Sequence, residues 1–160
     1  MTERKRKLSN HFLPILLIFY IPLSGVAQCP VLTWADEFDS EGAPNSANWT
    51  YDIGNGVGGW GNKEIQSYTS KSENVRVENG VLIIDALKDE NGWTSARVKS
   101  QFFQNFQYGR IEFRAKIPAG SGTWPALWML GENITDIGWP ACGEIDVMEH
   151  VGREPGLVHG

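Results

Sequence analysis

Val75-Arg76-Val77-Glu78-Asn79-Gly80-Val81-Leu82-Ile83-Ile84-Asp85-Ala86 reads as two β-rich runs joined by Asn-Gly. Both central positions of a two-residue hairpin turn want positive φ, which Asn and Gly tolerate best. In that register Val77 faces Leu82 and Val75 faces Ile84, so the apolar side chains share one side of the ribbon. Outward from the hairpin, strand signals are dense and helical periodicity is nearly absent. Residues 110–117 alternate, with Ile111, Phe113, Ala115 and Ile117 predicted inward and Arg110, Glu112, Arg114 and Lys116 outward, before 118–122 break the pattern with Pro118, Gly120 and Gly122. Many short runs separated by Gly, Asn and Pro turns predict an all-β antiparallel sandwich.

At 160 residues the chain is one domain at most, and its composition is that of a globular protein. The net charge is −5, and the basic residues concentrate at the extreme N-terminus. The remainder carries no basic patch of the kind nucleic-acid binding requires.

Gly143-Glu144-Ile145-Asp146-Val147-Met148-Glu149-His150 places three carboxylates within six residues of a strand-like stretch. Glu144 and Asp146 share a face because strand side chains alternate, and strict alternation would send Glu149 to the other face. One extra residue near Val147-Met148, a β-bulge, returns Glu149 to its companions and leaves Ile145, Val147 and Val151 for packing. Close carboxylates on one face do not ionise independently, so a proton is expected to stay with the group near neutral pH. A protonated acid beside an ionised carboxylate suits retaining glycoside hydrolysis. The outer backbones lie roughly 13 Å apart, so both Glu side chains must lean inward, which spacing alone does not dictate. Two other readings of the segment stay open: a solvated strand face, and a divalent metal site that includes His150.

Flat apolar rings suit the C–H faces of sugars, and the chain has seven tryptophans. Trp124, Trp128 and Trp139 all fall within twenty residues of Glu144. Aromatic filling of a sandwich core is the competing reading.

The acidic segment and its surroundings resemble glycoside hydrolase family 16, whose signature in its bulged form is E-x-D-x-x-E. The agreement extends over Gly138-Trp139-Pro140-Ala141-Cys142-Gly143 before the acids and Val151-Gly152 after them. It also covers Trp60-Gly61-Asn62-Lys63-Glu64-Ile65-Gln66-Ser67-Tyr68-Thr69, Trp34-Ala35-Asp36-Glu37-Phe38, Tyr108-Gly109-Arg110-Ile111-Glu112 and Gly122-Thr123-Trp124-Pro125-Ala126-Leu127-Trp128-Met129-Leu130. These motifs look like those of the bacterial laminarinases, the endo-1,3-β-glucanases of the family, from about Val31 to Gly160. The resemblance implies a concanavalin A-like β-jelly roll of two antiparallel sheets with a concave cleft. It implies Glu144 as nucleophile, Asp146 as assisting carboxylate and Glu149 as general acid/base. Trp124 and Trp139, and less firmly Trp128, become sugar platforms. Asn55 in the glycine-rich loop, Glu64 and Arg97 become hydroxyl-binding candidates, although the glycines of that loop equally serve its turn. No catalytic cofactor or metal is expected. Asp36, Glu37 and Asp39 are either solvated loop acids or part of the structural calcium site that some relatives have.

Arg4-Lys5-Arg6-Lys7 precede an apolar run over 12–23, interrupted by Pro14 and Pro22, with small Gly25 and Ala27 following. This reads as a signal peptide, residues 1–27, rather than a membrane span of about 20 apolar residues. A secreted, periplasmic or cell-surface location follows, with residues 28–160 as the N-terminal part of the catalytic domain. Gln28 is a poor residue before a lipidated cysteine, so Cys29 is not expected to carry an anchor. Cys29 and Cys142 are the two cysteines, and nothing in the sequence places them together.

Sandwiches of this kind run to roughly 200–250 residues. The 160-residue chain is therefore expected to leave strand edges unpaired and to be poorly stable and weakly active or inactive in isolation. For the full gene product, the expectation is a secreted, monomeric endo-β-1,3-glucanase acting on laminarin-like β-glucan. Mixed-linkage β-1,3-1,4-glucan is the second substrate. A non-catalytic β-glucan-binding module is the alternative of a different class; such modules lose the acids that are intact here. Agar- or carrageenan-specific relatives share the catalytic strand, but sulfated chains call for a basic cleft.

Overall fold

The computed structural model describes residues 30–160. The signal peptide expected over 1–27 and the alternatives for Cys29, lipidation or pairing with Cys142, lie outside the described residues. Among the described residues no helix is long and apolar enough to cross a membrane.

The hairpin forms in the expected register. Strands β3 (Val75–Glu78) and β4 (Val81–Ile84) pair antiparallel, with Val75 opposite Ile84 and Val77 opposite Leu82. Asn79 and Gly80 take φ of 53° and 74°, the left-handed pair that a two-residue turn needs. Val75 and Val77 are buried on its inner face. Asn74, just before β3, is 1% exposed. Its amide donates to Asp85 O and Thr94 Oγ1, each at 3.1 Å, while its oxygen accepts from Thr69 Oγ1 at 2.6 Å. A buried amide so satisfied ties the hairpin to its neighbours.

Strand β1 (Thr50–Asp52) pairs antiparallel with β7 (Arg97–Lys99). Strand β2 (Ser67–Tyr68) runs parallel to β6 (Gly92–Ser95), which also pairs antiparallel with β5 (Leu87–Asp89). Strand β8 (Ala126–Leu130) pairs antiparallel with β9 (Glu144–Glu149). One single-turn helix, α1 (Ile134–Ile137), sits between them. The result is mostly strand, in small ladders that do not close into continuous sheets among the described residues.

Two expectations are corrected. Residues 110–117 form no strand: none of the described ladders includes them, and Phe113 and Ala115 are exposed. An alternating pattern needs a neighbouring strand to satisfy its N–H and C=O groups, and none lies beside it among the described residues. The packing expected of Ile145 and Val147 is also absent, for these side chains are 61% and 38% exposed. They do point away from the acids, but no described element covers that side.

Candidate active site

The bulge is present where the spacing of the acids requires it. In the β8–β9 ladder Leu127 pairs with Met148 and Trp128 with Asp146, so the register shifts between Leu127 and Trp128 and Val147 is the extra residue. Residues directly opposite in a ladder share a face. Ala126, Trp128 and Leu130 alternate onto one face of β8, and their partners are Glu149, Asp146 and Glu144. All three acids therefore stand on that face. Glu144 is exposed, Asp146 and Glu149 are half-buried, and Asp146 Oδ1 is shielded from solvent without a hydrogen-bond partner among the described residues.

Two indoles meet the outer acids. Trp124 precedes β8 and donates Nε1–H to Glu149 Oε1 at 3.0 Å. Trp139 precedes β9 and donates to Glu144 Oε2 at 2.6 Å. Both rings remain exposed. Trp128 differs: its ring faces the Arg97 guanidinium at 4.7 Å, so one of its faces is occupied. Arg97 lies 4.9 Å from the Trp60 ring and 5.9 Å from the Tyr68 ring, reaches Asp52 Oδ2 at 3.3 Å and stands 3.9 Å from Glu64 Oε1. Lys99 adds a second cation on Asp52 at 2.6 Å.

Glu64 is anchored from its other side. Tyr68 Oη donates to Glu64 Oε2 at 2.5 Å, and Gln66 Nε2 donates to that oxygen and to Tyr68 Oη, each at 2.8 Å. Burial, reinforced by the hydrogen bond to Glu64, pushes the Tyr68 hydroxyl up to about 12. Asn55 donates to Gln66 O at 3.3 Å, which joins the glycine-rich loop to the same network. That loop passes through Gly59–Lys63 with positive φ at Trp60 and Lys63 as well as at its glycines.

Arg97 and Glu64 are thus brought together with Trp128, whose opposite number is Asp146. Asp52, Trp60, Gln66 and Tyr68 belong to this network and were not expected from the sequence. The signal was there for two of them: Glu64, Gln66 and Tyr68 recur at every second position, which puts their side chains on one face of an extended segment. His150 is buried, its Nδ1–H donating to Leu157 O at 2.8 Å. Cys142 is half-buried in the loop before β9.

Asp36 lies apart from the acids on β9. Burial disfavours its charge, but hydrogen bonds from Trp49 Nε1 at 2.8 Å, Phe38 N at 3.0 Å and Asn48 Nδ2 at 3.2 Å outweigh it and hold the carboxyl below its ordinary value. These residues do not fit a cation: among the described residues no group of three or more His, Cys, Asp or Glu side chains is placed to hold a metal ion, and three protein donors already engage Asp36.

Residues 61–156 match the family described as XgeA-like, catalytic GH16 domain. A β-glucanase of Rhodothermus marinus is 49% identical over 135 residues, a match that covers 81% of this chain and 46% of that relative. The laminarinase structure from Flavobacterium sp. UMI-01 superposes with a TM-score of 0.76 at 48% identity, covering 80% of this chain and 55% of that one. The Rhodothermus marinus laminarinase structure gives 0.75 at 50% identity, covering 81% and 53%. The chain spans about half the length of these relatives and shares their β-jelly-roll architecture over that span. With the bulged acid strand inside the matched region, the chain belongs to glycoside hydrolase family 16.

Proposed function

We propose that the protein hydrolyses β-1,3-glucan internally, with retention of anomeric configuration. The observation that carries this reading is the Val147 bulge, which aligns Glu144, Asp146 and Glu149 on one face. The names of the laminarinase and β-glucanase relatives support the substrate class.

In the first step Glu144 attacks the anomeric carbon as that carbon's bond to the glycosidic oxygen breaks, and Glu149 gives its proton to the departing oxygen. Asp146 stands between them on the same face as the assisting carboxylate. In the second step water attacks the same carbon, Glu149 takes the water's proton, and the ester bond to Glu144 breaks. Two inversions give retention. Trp124 and Trp139 offer exposed rings for stacking, while Arg97, Glu64 and Asn55 are the polar groups proposed to meet sugar hydroxyls. No cofactor takes part. The basic residues 4–7 followed by the apolar run over 12–23 support a signal peptide and so action outside the cytoplasm, and the protein is proposed to act as a monomer.

The test is reducing-sugar release from laminarin, barley glucan, agarose and carrageenan by the protein as its gene encodes it, with the product anomer followed by NMR. Laminarin is expected to be the best substrate, giving the β-anomer first. Glu144→Gln should abolish turnover and keep glucan binding. Binding without hydrolysis by the parent protein would sink the enzymatic reading in favour of a recognition module.

A further inference from the structure

The two exposed tryptophans are arranged as donors as well as faces. An indole has one N–H and no acceptor. Trp139 spends its donor on Glu144, at 2.6 Å, and Trp124 on Glu149, at 3.0 Å. The allocation is one indole to each outer acid. The outer backbones are roughly 13 Å apart along the strand, so each flexible Glu needs something to aim it.

Each indole is carried on a fastened loop. On the Trp124 side, Gly152 N donates to Thr123 O at 2.9 Å and His150 N to Pro125 O at 3.1 Å. On the Trp139 side, Gly138 N donates to Ile134 O at 2.9 Å, Cys142 N to Gly138 O at 2.9 Å and Gly143 N to Pro140 O at 3.0 Å. Rings held in this way are able to orient a carboxylate.

We infer that Trp139 and Trp124 are positioning residues for the chemical step, their indole N–H groups aiming Glu144 and Glu149. The inference rests on the reading of those glutamates as nucleophile and acid/base. The ring on which a sugar stacks then also fixes the acid that acts on it, which ties correct placement of substrate to correct placement of the reacting group.

Trp139→Phe and Trp124→Phe keep a flat ring and delete the N–H. With β-1,3-gluco-oligosaccharides, each variant is expected to keep KM within about twofold of the parent and to lose about ten- to hundredfold in kcat, the range for a hydrogen bond to a charged group. Trp→Leu at either position should raise KM as well. A second measurement needs no turnover. In protein carrying 15N-labelled tryptophan, Glu144→Ala should displace the Trp139 indole resonance and spare that of Trp124, and Glu149→Ala should do the reverse. Unchanged kcat in the Phe variants, or indole resonances that ignore the glutamate substitutions, overturns the inference. If the parent protein cleaves no β-glucan, the enzymatic reading falls while the indole spectra still decide whether the pairing exists.

Discussion

Asp146 stands directly across the β8–β9 ladder from Trp128, and the Arg97 guanidinium lies 4.7 Å from that indole. A single side chain therefore separates the middle acid's strand from a cation held by Asp52 and Glu64. Arg97 is mostly buried, its side chain 19% exposed. Arg97→Ala leaves two carboxylates short of a partner and three rings without their cation, and is expected to destabilise the protein by about 2–4 kcal/mol. Arg97→Lys keeps the charge but not the planar stack, and should recover less than half of that loss. Urea unfolding midpoints of the two variants check both.

Deleting Val147 removes the extra residue and leaves Glu144-Ile145-Asp146-Met148-Glu149 in strict alternation, with Glu149 still on the face of its companions. Turnover of laminarin is expected to be largely retained. Deleting Met148 as well turns Glu149 to the face of Ile145, and loss of the general acid/base is then expected to lower turnover about a hundred- to ten-thousandfold, with glucan binding reduced far less. Initial rates of both variants set beside their binding isotherms check this, and equal activity in the two would show that the face on which Glu149 stands does not matter.

The Tyr68 hydroxyl titrates near 12 in the folded chain against an ordinary 10, because burial and then Glu64 disfavour the phenolate. The folded state thus binds this proton more tightly than the unfolded state does. Its contribution is fully present below pH 10 and is lost as pH rises towards about 12. The stability of Tyr68→Phe relative to the parent should improve across that window. Unfolding free energies at a series of alkaline pH values provide the comparison, and a constant difference would contradict the assignment.

Asn74→Ala removes three side-chain hydrogen bonds at a site 1% exposed, and takes this partner from Thr69 Oγ1, Asp85 O and Thr94 Oγ1. The expected loss is about 2–4 kcal/mol, read as a lower melting temperature. Glucan binding by protein kept below that temperature should be little changed.

Legibility followed the range over which each feature is determined. The Asn79-Gly80 hairpin is a local matter of positive φ, and its register was readable outright. The bulge was readable because three acids and three apolar residues cannot be sorted between two faces without it. Residues 110–117 show the limit: Ile111, Phe113, Ala115 and Ile117 carry a strand's periodicity, yet a strand is a property of a pair of segments. The Arg97 cluster draws on β1, β7, β8 and the loop around Trp60, which meet only in the fold. Resemblance singled out Arg97, Glu64 and Trp128 there, but not Asp52, Trp60, Gln66 and Tyr68 around them. The same applies to the glutamates' aim, since the donors, Trp124 and Trp139, belong to other segments.

The uncovered back of β9 bears on the time course of deuterium uptake. Apart from the bridge between Glu149 and His159, only β8 lies beside it among the described residues, and with Ile145 and Val147 open to water most of its amides are guarded by one ladder and little overlying bulk. Those of β3, with Val75 and Val77 sealed beneath, are expected to trade their protons later, so the strand that bears the acids belongs to the faster-breathing part of the molecule.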